Sequence, residues 1–204
     1  MRLLCCVAFA ILLTPFSDCR ADDASKPDEE GFIRKWLVLA PFPFADAQDG
    51  AGALNKQQLP DESKLQPKAG DKVKSDGHEL VWKECRSKDY MLDFNAFLGQ
   101  ETEDSVGYAV SYLICDQEMT HVTMKTGSDD QAKVYLNGKE VLKIEDARSA
   151  EKDQDSTPDL TLKKGVNVIV FKIVNEKVDW QGCMRFTDKD DKPITGYKVS
   201  TSPQ

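Results

Sequence analysis

Asp129 and Asp130 stand side by side in the stretch GSDDQAKVYLNGKEV, residues 127–141. Paired carboxylates ligate metals, hold sugar hydroxyls and move protons. The same residues shape turns, because their side chains accept bonds from nearby backbone N–H groups. Calcium takes roughly six to eight oxygen ligands, and an EF-hand loop sets acids at alternate positions around a central glycine. This stretch lacks that pattern, so a structural calcium would need oxygens gathered from separate loops. Acid–base work by the pair is disfavoured, since successive side chains of an extended chain point to opposite sides.

A carbohydrate surface needs an aromatic face for C–H stacking and planar polar groups for hydroxyls. Trp180, in the loop EKVDWQG, is one aromatic candidate, with packing as its competing role. Tyr135 is another, with Tyr108 and Tyr112 in the same set. Trp36 and Trp82 fall in strand-like runs and read as core. Asp129, Asp130, Asn137 and Arg185 are the polar candidates. Arg185 alternates with Met184 and Phe186, so it points away from the core, toward a ligand or a salt bridge.

Catalytic patterns are absent. There is no G-x-S-x-G elbow, no H-E-x-x-H and no phosphate-cradling glycine loop between a strand and a helix. The two histidines, His78 and His121, are far apart in sequence. A glycosidase needs two carboxylates about 5–9.5 Å apart, and with 35 acids in the chain a small hydrolase stays open as a minor reading. The expectation is a protein that is not an enzyme.

Composition narrows the partners. The net charge is -8, and no basic patch interleaves with aromatics. Phosphate backbones and anionic lipid need clustered Lys and Arg, so neither nucleic acid nor membrane is an expected partner. Residues 1–21 have a basic start, an apolar run from Leu3 to Phe16 and a small residue, Ala21, at the cut. That is the layout of a secretory signal peptide, and the run falls short of the ~20 apolar residues of a membrane span. Asp18 before Cys19 argues against lipidation. The expected localisation is secreted or periplasmic, with no membrane attachment after cleavage. Cys85, Cys115 and Cys183 would remain, an odd number that allows at most one internal disulfide. They read as small buried hydrophobes or as one bridge plus a thiol.

The elements that must position these residues are strands. Residues 22–31 are acidic and polar, and read as a flexible leader. Phe32 to Leu39 has strand character, ended by Pro41 and Pro43. Residues 45–79 read as a long, loop-rich insertion carrying Asp76-Gly77, a hairpin dipeptide. YMLDFNAFLG (90–99) fits either a strand or a short helical turn. Val106, Tyr108, Val110, Tyr112 and Ile114 share one face at period 2, with Ala109, Leu113 and Cys115 on the other. Residues 120–126 form the next strand, and Gly127 to Asp130 its turn. Asn137-Gly138 closes a type I′ hairpin, pairing Leu136 with Lys139, Tyr135 with Glu140 and Val134 with Val141. Val134, Leu136 and Val141 make its core face, and Tyr135 looks the other way. Residues 147–158 are a polar loop. Val166 to Val174 is apolar on both faces except Lys172, so it should be a central strand. Many short strands and no period-3.6 run predict an all-β, antiparallel β-sandwich or barrel, taken as a β-sandwich over residues 32–200.

V-Y-L-N-G at 134–138, L-K-K-G-V-N at 162–167 and the opening IRKWLVLAPFPF resemble the galactose-binding-domain-like β-sandwiches. These include carbohydrate-binding modules and the sugar-binding domains beside glycoside hydrolases. Ala40 stands where that family's first turn carries glycine. The resemblance covers roughly residues 32–187. It implies a jelly roll, often with a structural calcium, and binding by variable loops. The expected function is a non-catalytic carbohydrate-binding or accessory module. The alternative is a structural domain that meets a secreted protein partner.

Overall fold

Val168, Val170 and Val174 alternate with Ile169, Phe171 and Ile173 along one strand, so both of its faces demand apolar cover. In the computed structural model, which describes residues 24–45, 49–75 and 77–203, that strand lies inside a seven-stranded antiparallel sheet. The strands are β1 Lys35–Pro43, β2 Lys72–Ser75, β3 His78–Val81, β4 Lys83–Arg86, β5 Leu92–Asp93, β6 Ser105–Cys115 and β7 Met119–Asp129. They continue as β8 Ala132–Leu136, β9 Lys139–Ile144, β10 Asp155–Leu162, β11 Gly165–Asn175, β12 Gln181–Thr187 and β13 Lys198–Ser200. Two short helices, α1 Gly50–Asn55 and α2 Phe94–Leu98, and a 3-10 turn at Glu62–Lys64 complete the chain.

The large sheet runs β4-β1-β6-β11-β8-β9, with β13 also pairing β6. A second sheet runs β10-β7-β12-β5, and β2 and β3 form a separate hairpin. The two main sheets pack face to face as an antiparallel β-sandwich. Trp36, Ala109, Val134, Phe171 and Ile173 of the large sheet meet Val122, Met124, Met184 and Phe186 of the smaller one. Each such side chain contributes about 1.5–3 kcal/mol on burial. Alternation in β6 divides it as expected: Ala109, Leu113 and Cys115 face this core, while Tyr108, Val110 and Tyr112 face away.

That other face is covered too. Residues 45–79, expected as a loop-rich insertion, fold α1, the 3-10 turn and the β2–β3 hairpin over it. Ala53, Leu54, Leu59 and Trp82 join Leu37, Phe42, Tyr108, Tyr112 and Tyr135 in a second apolar layer. Ser75 pairs with His78; Asp76, of the expected hairpin dipeptide, lies outside the described residues.

Three local expectations are corrected. β1 does not stop before Pro41 but runs on to end at Pro43; a register shift between Leu39 and Phe42 accommodates Pro41 within the strand. Gly127 to Asp129 are not a turn but the end of β7, held opposite Cys183, Gly182 and Gln181 of β12. Residues 24–31 are not a loose leader: Ser25 exchanges two backbone bonds with Val199, and Asp28 Oδ1 accepts from the N–H of Glu30 and of Phe32. The signal-peptide reading falls on residues 1–21, outside the described residues. Among the described residues no helix is long and apolar enough to cross a membrane.

Candidate functional site

The residues singled out in the sequence fold into structural roles, and they do not converge. Asp129 is buried at the end of β7. Burial, then the nearby Asp130 and Asp179, push its carboxyl up to about 6. Asp130 carries the chain from the small sheet into the large one. Its Oδ2 accepts from the Glu176 N–H at 2.8 Å and its Oδ1 from the Arg148 N–H at 3.3 Å. Asp130 therefore ties the loops at 145–154 and 176–180 to the link between β7 and β8. Among the described residues no three His, Cys, Asp or Glu side chains are grouped to hold a metal ion.

Asn137 and Gly138 both take positive φ, 51° and 83°, as the type I′ turn requires. The pairs Leu136–Lys139 and Tyr135–Glu140 form as expected, but a bulge sets Val134 opposite Leu142 instead of Val141. The Asn137 side chain is spent on the neighbouring strand: it donates to Asn167 Oδ1 at 2.8 Å and accepts from the Val168 N–H at 2.9 Å. Arg185 points away from the core, as its alternation requires, and its guanidinium binds Asp153 and donates to the Glu30 carbonyl at 3.0 Å. It also stands 5.2 Å from the Phe32 ring. It clamps residues 30–32 to β12.

Trp180 does not face a ligand. It is 0% exposed, stacked on Phe94 at 4.7 Å and 15°. Gly107 makes room for both rings, since a Cβ there would lie 2.5 Å from Phe94 and 2.7 Å from Trp180. A loop position in sequence is a core position here because β5 and α2 fold over it. Tyr135 is 7% exposed and does not look to solvent, because the 3-10 turn covers it.

That turn brings in a group the sequence did not flag. Glu62 is buried and accepts from Tyr108 Oη at 2.6 Å, Tyr135 Oη at 2.9 Å and Lys172 Nζ at 3.0 Å. Lys172 is 0% exposed and also donates to the Lys56 carbonyl at 2.6 Å. Burial pushes its ammonium below the ordinary lysine range, and Glu62 opposes that shift. The cluster has its hydrogen bonds internally met and is sealed from solvent. It anchors the insertion to the sheet.

The surface offers a different site. A cavity of about 390 Å³ lies between the end of β4, the loop 87–91 and α2, lined by Arg86, Lys88, Asp89, Tyr90, Asp93, Phe97 and Gln181 among others. Tyr90 and Phe97 are half-buried, unlike any tryptophan of the described chain. The walls are braced. Asp93 caps α2 by accepting from the Ala96 N–H at 2.8 Å, and Gly99 ends the helix at positive φ. Asp89 Oδ1 accepts from the Met91 N–H at 2.8 Å, and Ser87 Oγ donates to the Asp89 carbonyl at 2.9 Å. Tyr90 rests on Phe32, with ring centroids 5.1 Å apart. A concave site with aromatic walls and a few fixed polar groups suits a small polar ligand. The one sequence signal for it was YMLDFNAFLG, which proves to be both a strand, β5, and a helical turn, α2.

Cys85 borders this cavity; Cys115 and Cys183 are buried, and all three are free thiols. Burial raises each of them, Cys183 to about 12, which leaves them protonated and poor nucleophiles. No protein-family model matches the chain, and no curated protein matches it.

Proposed function

We propose that this chain is a secreted or periplasmic, non-catalytic β-sandwich that binds carbohydrate through the cavity between β4 and α2. The observation that carries the reading is the lining of that cavity. Tyr90 and Phe97 supply apolar ring faces, and Arg86, Asp89, Asp93 and Gln181 supply planar donors and acceptors. Rings set beside planar hydrogen-bonding groups match the alternating C–H and hydroxyl faces of a sugar. Kinship with the galactose-binding-domain-like sandwiches, and their jelly-roll topology, belong to this proposal and rest on the motifs at 134–138 and 162–167.

The surface supports sugar over a protein partner. Among the described residues the exposed large hydrophobics are Val166, 40% exposed, and Val178, 63% exposed. Two valines do not make the broad apolar patch of an obligate protein interface.

A glycan array probed with the purified chain, with and without calcium, tests the proposal. Binding to a defined glycan class, lost in Arg86→Ala, is the expected result. Silence across the array under both conditions would overturn it.

A further inference from the structure

The cavity beside α2 is the first of three neighbouring hollows, together called the groove. Phe97 lines it and also lines a second cavity of about 190 Å³, together with Ala40, Glu79, Leu80, Val81, Lys83 and Leu98. Glu79 and Leu80 in turn line a third, of about 520 Å³, with Pro41, Pro43, Ser75 and His78. The three hollows share walls in sequence order. They follow one extended stretch of chain, β3, Trp82 and β4, from His78 to Arg86. At about 3.3 Å per residue such a stretch spans roughly 25 Å. β1 runs antiparallel beside it, with Val38 opposite Lys83, which brings Ala40, Pro41 and Pro43 alongside residues 78–81.

We infer that the ligand is an uncharged, linear oligosaccharide lying along this groove, with its rings in successive subsites from Arg86 to His78. This rests on the carbohydrate reading above and extends it from a single site to a chain. Three features argue for this occupant. The three hollows stand in a row, each sharing lining residues with the next, a length that a single ring would not fill. Its apolar surfaces are spaced along it: Tyr90 and Phe97 at one end, Leu98 and Leu80 in the middle, Pro41 and Pro43 at the other. Its charges are mixed in sign, with Arg86, Lys88 and Lys83 beside Asp89, Asp93 and Glu79, and Glu79 is paired with Lys72 at 2.8 Å. A mixed lining gives no field to select a polyanion or polycation, whereas hydroxyls bond donors and acceptors equally.

The test is a calorimetric titration of the purified chain with ladders of xylan-, mannan- and galactan-derived oligosaccharides, from the monosaccharide to the hexasaccharide. Affinity in at least one ladder is expected to rise about tenfold or more with length. The His78→Ala/Glu79→Ala double variant alters exposed residues at the far end of the groove. It should lower hexasaccharide affinity about fivefold and leave the shortest binding sugar unchanged. A binding sugar whose affinity is flat with length overturns the inference and leaves the single-site reading intact. Far-end substitutions that weaken short and long sugars equally also overturn it. If no ladder binds and an extended peptide from a display library occupies the groove instead, both readings fail.

Discussion

Replacing Glu62 with alanine tests how the insertion is held to the sandwich. Glu62 is the shared acceptor of Lys172, Tyr108 and Tyr135, and Lys172 is wholly buried. Glu62→Ala leaves the ammonium with the Lys56 carbonyl alone and strips both hydroxyls of their acceptor. Removing one partner of a buried ion pair costs about 3–5 kcal/mol, because the remaining charge is uncompensated. The orphaned hydroxyls add about 1–3 kcal/mol. A domain of this size shifts its Tm by about 2–4 °C per kcal/mol, so a fall of about 8–30 °C is expected by circular dichroism. The double variant Glu62→Leu/Lys172→Met removes both charges and fills the space with apolar groups. It should recover much of the loss, since replacing a whole buried pair is often close to neutral. Urea titrations of the double variant and of the singles Glu62→Leu and Lys172→Met close the cycle. A Glu62→Ala loss below about 1 kcal/mol, or a double variant no better than the sum of the singles, would refute the buried linkage.

Trp180→Ala should cost about 3–5 kcal/mol, the range for deleting a large buried aromatic, as read by urea denaturation. A variant with unchanged stability would return Trp180 to the surface. Gly138→Val places a branched side chain at φ 83° and should destabilise the chain by about 1–3 kcal/mol in the same assay. Stability also depends on Asp129. Its folded value, about 6, lies above the ordinary carboxylate value near 3.8. The folded state therefore binds more protons than the unfolded chain between these values. The group's contribution is most favourable below pH 4 and is lost as pH rises through 6. Asp129→Asn should flatten that slope and raise stability at pH 7 by no more than about 3 kcal/mol, measured by urea midpoints across pH. A slope unchanged in the variant would show that Asp129 titrates normally.

The parts of this fold that could be read from sequence are those written in local periodicity. The two faces of β6 and the central place of β11 follow from alternation over adjacent residues, and the 137–138 hairpin follows from one dipeptide. How the insertion packs was not legible, because its fixed point is a contact between Glu62 and Lys172, 110 positions apart. Lys172 looked like an exception within an apolar strand; it is the residue that receives the insertion. Trp180 misled for a related reason. Its loop is covered by β5 and α2, elements too short for any period to announce. The groove depends on how β4 meets α2, and neighbours in space but not in sequence leave no pattern along the chain. Arg185 was correctly placed off the core face of its strand and Asn137 in its turn, yet their partners, Asp153 and Asn167, come from distant segments.

The central claim is that the hollow beside β4 and α2 binds sugar. It is tested most directly by titrating the best glycan from the array into the unmodified chain and into Arg86→Ala, an exposed residue of the groove wall. Losing a charged hydrogen-bonding partner should weaken binding about tenfold or more, corresponding to about 1.5–3 kcal/mol, while Tm moves by no more than about 2 °C. Equal affinity in the two proteins would contradict the assignment of the site.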